Sequence, residues 1–201
     1  MQKSENTFMR VMDIFTHFLL LNVIWMVSCL LIVTIFPATT ALFAVARKWT
    51  ASGIEAGVFT LYIDKFKENF RKSFVIGLIS IAAGAVIYMD AVILLHVSFK
   101  GSMFLLALLI FAGMLYFFTV IYVFFMMVNY ELSILHTLKN ALFLSISKIF
   151  HTLSYLAIIA GVLTIVYFFP FFLLIAGSLQ AFIMYQIFHR LTDQINQPVT
   201  E

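Results

Sequence analysis

Asp90 is the residue of this chain best placed to do chemistry. It is the single formal charge between Ser73 and Phe99, a stretch otherwise apolar enough to lie in a bilayer. A charged side chain at the bilayer centre costs roughly 2.5–3.5 kcal/mol on insertion scales, so a retained one has a role or a partner. Asp90 is therefore expected to face other helices. There it would either handle a proton or cation, or make an interhelical hydrogen bond that fixes packing. Tyr116, Thr119, Tyr122, Met126 and Asn129 follow at three- and four-residue spacing, on one side of a single helix. With Asn22 and Gln180 they would line a polar seam beside Asp90. The same residues also suit plain interhelical adhesion, worth about 0.6–2 kcal/mol per contact.

Other chemistry finds little support. His17, His96, His136, His151 and His189 each fall near the end of an apolar run, and none has a second donor at metal-ligand spacing. Cys29 is the only cysteine, so no internal disulfide is possible. No HExxH, GxSxG or Walker A motif occurs. No catalytic, cofactor or metal site is expected.

The elements that must carry these residues are membrane helices. Of 201 residues, 64% are hydrophobic and 10% charged, and mean hydropathy is +1.09. Soluble domains are nearer 45–50% apolar and 25% charged. A chain of this length cannot hide that much apolar surface from water by folding alone, so lipid must cover the rest. No dense basic patch with interleaved aromatics is present, and nucleic acid is not an expected partner.

A spanning helix needs about 20 apolar residues, because the hydrocarbon core is about 30 Å thick. Spans are predicted at about 14–33, 73–99, 102–130, 152–168 and 171–188. The last two come from one uncharged run broken at Pro170, which has no N–H to continue a helix. The first run is too long for the apolar region of a signal peptide and is expected to be retained. Two further stretches, 58–74 and 131–150, carry apolar residues at helical period opposite charged ones. They are expected to be interfacial helices at the cytoplasmic surface. The alternative is a solvated extension of the neighbouring span. The whole chain, 1–201, is expected to form one integral membrane domain.

The stretch TIFPATTALFAVARKW, Thr34 to Trp49, decides the threading. Lys and Arg concentrate on the cytoplasmic side of membrane proteins. If residues 34–49 return through the membrane as a short leg, eleven of the twelve Lys and Arg share one side and only Lys100 lies opposite. If they do not, Lys3 and Arg10 join Lys100 on the far side. The returning leg obeys the rule better and puts both termini in the cytoplasm. Pro37 suits the first turn of a new helix, and Thr34, Thr39 and Thr40 can satisfy backbone groups freed at the break. The expected fold is an all-α polytopic membrane helix bundle. It has five long spans, one short or re-entrant helix after Pro37, and cytoplasmic interfacial helices.

Asn22 and Trp25, Thr34, the run Phe36-Pro37-Ala38-Thr39-Thr40-Ala41-Leu42-Phe43, the Arg47-Lys48 pair and Phe66-Lys67-Glu68-Asn69-Phe70-Arg71-Lys72-Ser73 form a recognisable series. The chain resembles the YesL-like family of small bacterial integral membrane proteins, a domain of unknown function. It departs from the family pattern at Leu30 and Leu31, where a proline often stands, so a softer break is expected. The resemblance implies no catalytic residues. It implies a setting beside sugar-uptake ABC transporters and polysaccharide-degradation genes in the bacterial plasma membrane. On that basis the chain is expected to be a non-enzymatic accessory or regulatory component of carbohydrate uptake. It would dock a partner such as an ABC sugar permease through Lys65, Lys67, Arg71, Lys72, Lys139 and Lys148, and it could also self-associate. The alternative is a small proton- or cation-coupled transporter built on Asp90.

Overall fold

The computed structural model describes residues 2–54, 57–96 and 101–196, with backbone alone for 2–6 and 194–196. The helices are α1 (Gln2–Ser28), α2 (Ile35–Ser52), α3 (Val58–His96), α4 (Ser102–Asn129), α5 (Ile134–Ser147), α6 (Ile149–Phe168) and α7 (Leu173–Asn196). Short 3-10 turns at Ile32–Thr34 and Pro170–Phe172 precede α2 and α7. Among the described residues no strand occurs. Five segments, within or containing α1, α3, α4, α6 and α7, are long and apolar enough to cross a membrane. The fold is thus the expected all-α membrane bundle.

The break before Pro37 is built as its residue types require. The Thr34 hydroxyl lies 2.5 Å from the Ser28 carbonyl oxygen and 2.7 Å from that of Leu31. It serves carbonyls that have lost their helical partners. Pro37 is the third residue of α2, where a missing N–H costs nothing because first-turn amides have no intrahelical acceptor. The Thr40 hydroxyl donates back to the Phe36 carbonyl at 2.8 Å. Trp25 Nε1 donates to Thr39 Oγ1 at 3.3 Å. Further along, the Phe18 and Trp49 rings meet edge to face at 5.2 Å. These pairings run in opposite directions along α1 and α2, so the chain doubles back in a helical hairpin.

The second leg of that hairpin is the centre of the molecule. Pro37, Ala38, Thr40 to Ala46 and Trp49 are buried, and α2 packs against α1, α3, α4 and α7. Its 18 residues rise about 27 Å, close to the hydrocarbon thickness. It is therefore a continuous helix and not a loop. Small side chains at Ala38, Ala41, Ala44 and Ala46 let neighbouring backbones approach closely. Enclosure by protein removes the need for a strongly lipophilic surface.

One expectation about the amphipathic stretches needs correction. The segment 58–74 is not a separate interfacial helix: α3 is continuous over 39 residues, about 58 Å, longer than the bilayer with its headgroups. No proline or paired glycines interrupt it. One inward face runs through both halves, marked by buried Tyr62, Ser73, Ile76, Gly77 and Ser80. Phe66, Phe70 and Phe74 pack in succession across the supposed boundary, the first pair tilted and the second stacked, with ring centroids 5.4 and 5.9 Å apart.

The stretch 131–150 does contain a distinct helix, α5, capped by the Ser133 hydroxyl, which accepts from the His136 N–H at 3.5 Å. Its leucine face points outward, with Leu135, Leu142 and Ile146 exposed. The face turned inward, where α5 meets α4, carries the small residues Thr137, Ala141 and Ser145. Leucine gains little by leaving lipid for protein, whereas small residues permit close helix contact. At the α5–α6 joint the Thr152 hydroxyl donates to the Ser145 carbonyl at 2.9 Å and lies 3.2 Å from the Tyr122 hydroxyl.

Candidate functional site

The charged ends of α2 and α3 meet the end of α4 and enclose a pocket of about 340 Å³. It begins with α4, which stops at Asn129 when Tyr130 turns to extended backbone. The last carbonyls of a helix lack intrahelical partners, and Arg47 at the end of α2 fills that gap. Its guanidinium donates to the Val128 carbonyl and also meets the Tyr185 hydroxyl of α7. Tyr185 in turn donates to Asn129 Oδ1 at 2.6 Å, and Asn129 Nδ2 donates to the Phe125 carbonyl at 2.8 Å. The side chain of Arg47 is thus held in place from two helices.

The opposite wall is α3. Lys65 Nζ lies 2.6 Å from Glu68 Oε2, and Asn69 Nδ2 donates to the Lys65 carbonyl at 3.0 Å. Lys48, Tyr130 and Glu131 complete the polar lining, over a floor that includes Ala44, Met127 and Val128. Glu131 also interacts electrostatically with Lys72. Arg47, Lys48 and Glu131 are exposed, so water and solutes can reach the pocket.

The residues proposed for a polar seam lie apart. Asp90 is exposed on the flank of α3, beside a groove lined by Leu105, Leu108 and Ala112 of α4. It borders α4 across that groove, but makes no hydrogen bond or ion pair with a described residue. Asn22 is fully buried between α1 and α7, where its Nδ2 donates to the Leu173 carbonyl at 2.8 Å and its Oδ1 accepts from the Ser178 N–H at 3.0 Å. The Tyr116 hydroxyl donates to the Ser80 carbonyl at 2.9 Å, tying α4 to α3. Thr119 bonds within its own helix, to the Leu115 carbonyl at 2.7 Å. Gln180 Nε2 reaches only the Met184 sulfur, at 3.8 Å.

Of the candidate docking cations, Lys67, Arg71 and Lys139 are exposed, while Lys65, Lys72 and Lys148 are half-buried. Lys65 belongs to the pocket wall and Lys148 to the α5–α6 joint. Lys100 lies outside the described residues. Sequence reasoning missed Tyr185, the Lys65–Glu68 pair and the pocket itself. The available signal was positional: Arg47, Asn129 and Glu131 each stand within a turn of the end of an apolar run.

Long apolar helices packed around an enclosed shorter one, with charge gathered at one end, define an integral membrane protein. The chain belongs to the family described as "Protein of unknown function, DUF624", whose model matches residues 18–91. That match holds the α1–α2 hairpin and most of α3, hence two walls of the pocket. The chain is 32% identical over 183 residues to "Uncharacterized protein YesL" of Bacillus subtilis (strain 168), across 88% of this chain and 85% of that one. It is 29% identical over 152 residues to "Uncharacterized protein YteU" of the same organism, covering 74% and 68% of the two chains. It is 30% identical over 128 residues to "Uncharacterized protein YesV", covering 61% and 60%. No solved structure matches.

Proposed function

We propose that the protein is a non-enzymatic accessory or regulatory subunit of the bacterial plasma membrane that works beside carbohydrate uptake. Both termini face the cytoplasm, and an ABC-type sugar permease is the partner. The observation that carries this reading is the placement of charge. Arg47, Lys48 and Lys65 gather around the end of α4, and Lys72 lies near Glu131 just beyond it. Positive charge of this kind marks the cytoplasmic side. The carbohydrate setting rests on the resemblance to the YesL-like family. The accessory role is supported by the use of buried polar groups: Asn22, Thr152 and Ser178 spend their hydrogen bonds on neighbouring helices.

The docking face comprises Lys65, Lys67, Arg71 and Lys72 on α3, with Lys139 and Lys148 on and after α5. The test is co-purification of the full-length protein with the permease in mild detergent. Charge reversal at Lys67, Arg71 and Lys139, all exposed, is expected to release the permease while leaving the bundle folded. A permease that stays bound after reversal would remove this face from the proposal.

A further inference from the structure

We infer that the pocket between α2, α3 and α4 binds a phosphate-bearing ligand, gripped by Arg47 and Lys48. This stands independently of the permease reading, because neither cation belongs to the docking face.

The argument is one of charge compensation. Five charged side chains line the pocket: Arg47, Lys48, Lys65, Glu68 and Glu131. Lys65 and Glu68 neutralise each other at 2.6 Å. Glu131 acts on Lys72 from the edge of the site. Arg47 and Lys48 have no carboxylate partner among the described residues. Two adjacent uncompensated cations in a concave site leave a local excess of positive charge, which an anion would offset.

Arg47 is also oriented. A guanidinium carries five N–H donors in a fixed fork. The Val128 carbonyl engages one of those donors, and Tyr185 lies beside the guanidinium. The remaining donors are left for a ligand, and a planar donor pair matches the oxygens of a phosphate. Lys48 adds a mobile point charge from the next position.

The volume of about 340 Å³ is at the small end of ligand pockets. It suits a phosphate with a short polar arm. Glu68 and Glu131 offer acceptors to the hydroxyls of such an arm, so a phosphodiester or a phosphate ester with a hydroxylated arm fits best. Such a group has two sources. One is a phospholipid headgroup, since the pocket lies where the charged ends of α2 and α3 meet the apolar helices. The other is a soluble phosphate ester from the cytoplasm.

The test uses full-length protein in dodecyl maltoside and two probes, phosphatidylglycerol in mixed micelles and glycerol phosphate in solution. Binding is read by native mass spectrometry for the lipid and by the thermal unfolding midpoint for both. Lys48→Gln and Arg47→Gln are compared with the parent and with Lys139→Gln, which lies off the pocket. The expected result is binding of at least one probe, weakened about ten-fold or more in each pocket variant and unchanged in Lys139→Gln. Lipid binding alone assigns the site to a headgroup. Binding of glycerol phosphate, with or without lipid, assigns it to the phosphate ester itself. The Lys48 side chain is exposed and bonds to no described residue, so Lys48→Gln remains decisive even where Arg47→Gln fails to fold. No binding of either probe, or equal binding by Lys48→Gln and the parent, would overturn the assignment.

Discussion

Asn22→Leu separates a structural role for Asn22 from a functional one. The substitution keeps the branching and heavy-atom count of the side chain and removes both hydrogen bonds to α7, at 2.8 Å to the Leu173 carbonyl and 3.0 Å from the Ser178 amide. Intramembrane hydrogen bonds average about 0.6 kcal/mol and reach about 1.7 kcal/mol each. Two of them sum to about 1–3 kcal/mol. The upper part of that range applies if the α7 backbone groups cannot find helical partners in exchange. The assay is reversible unfolding of the full-length protein by dodecyl sulfate in mixed micelles, followed by tryptophan fluorescence. Trp25 and Trp49 are the only tryptophans, and both sit in the α1–α2 hairpin, so the signal reports the packing in question. Gln180→Leu serves as a control, because its only polar partner among the described residues is the Met184 sulfur at 3.8 Å, and its effect is expected within about 0.5 kcal/mol. An Asn22→Leu protein as stable as the parent within that margin would refute the clamp.

Gly177→Ala is expected to destabilise by about 1–3 kcal/mol, because a Cβ there would stand 2.6 Å from the Trp25 ring and 2.8 Å from Asn22 Oδ1. Unchanged unfolding would mean that the Trp25–Thr39 contact yields freely. Asp90→Leu is expected to favour membrane insertion of its segment by about 1–3 kcal/mol, since the carboxylate lies exposed without a described partner. A glycosylation-mapping assay measures this, and weaker insertion would count against it. In a Cys29→Ser background, an impermeant maleimide added to intact cells should label Ser102→Cys and spare Glu5→Cys. The opposite pattern would invert the threading.

The bundle was legible because lipid imposes strict rules on length and composition. Ser102–Tyr130 had the length and composition of a span and Pro170 had to divide the last run, whereas the first run, read as a span to about residue 33, gives way at Ser28 to the turn before α2. The hairpin at Pro37 was legible from the placement of Lys and Arg together with the proline and threonines at the break. The joining of 58–74 to the following span was not. An amphipathic helix and a membrane helix share the same period, and nothing in Lys72-Ser73 announces whether the axis turns. Asp90 misled for a related reason: rarity inside an apolar run signals importance but not direction, and a helix has a lipid side as well as a protein side. The pocket was invisible because it depends on Arg47 meeting Val128 and on Asn129 meeting Tyr185. Both contacts join residues far apart in the chain.

The enclosed position of α2 has a consequence for how the protein is made. The α7 wall begins at Leu173, about 120 residues after α2 ends at Ser52. At a synthesis rate of roughly 5–20 residues per second, that gap lasts roughly 6–24 seconds. Throughout that interval the ribosome has delivered a threonine- and alanine-rich helix without its final neighbour. Something must shelter it, either the insertion machinery or a chaperone in the membrane. A message cut short before α7 would yield a chain that cellular quality control can recognise by that one uncovered flank.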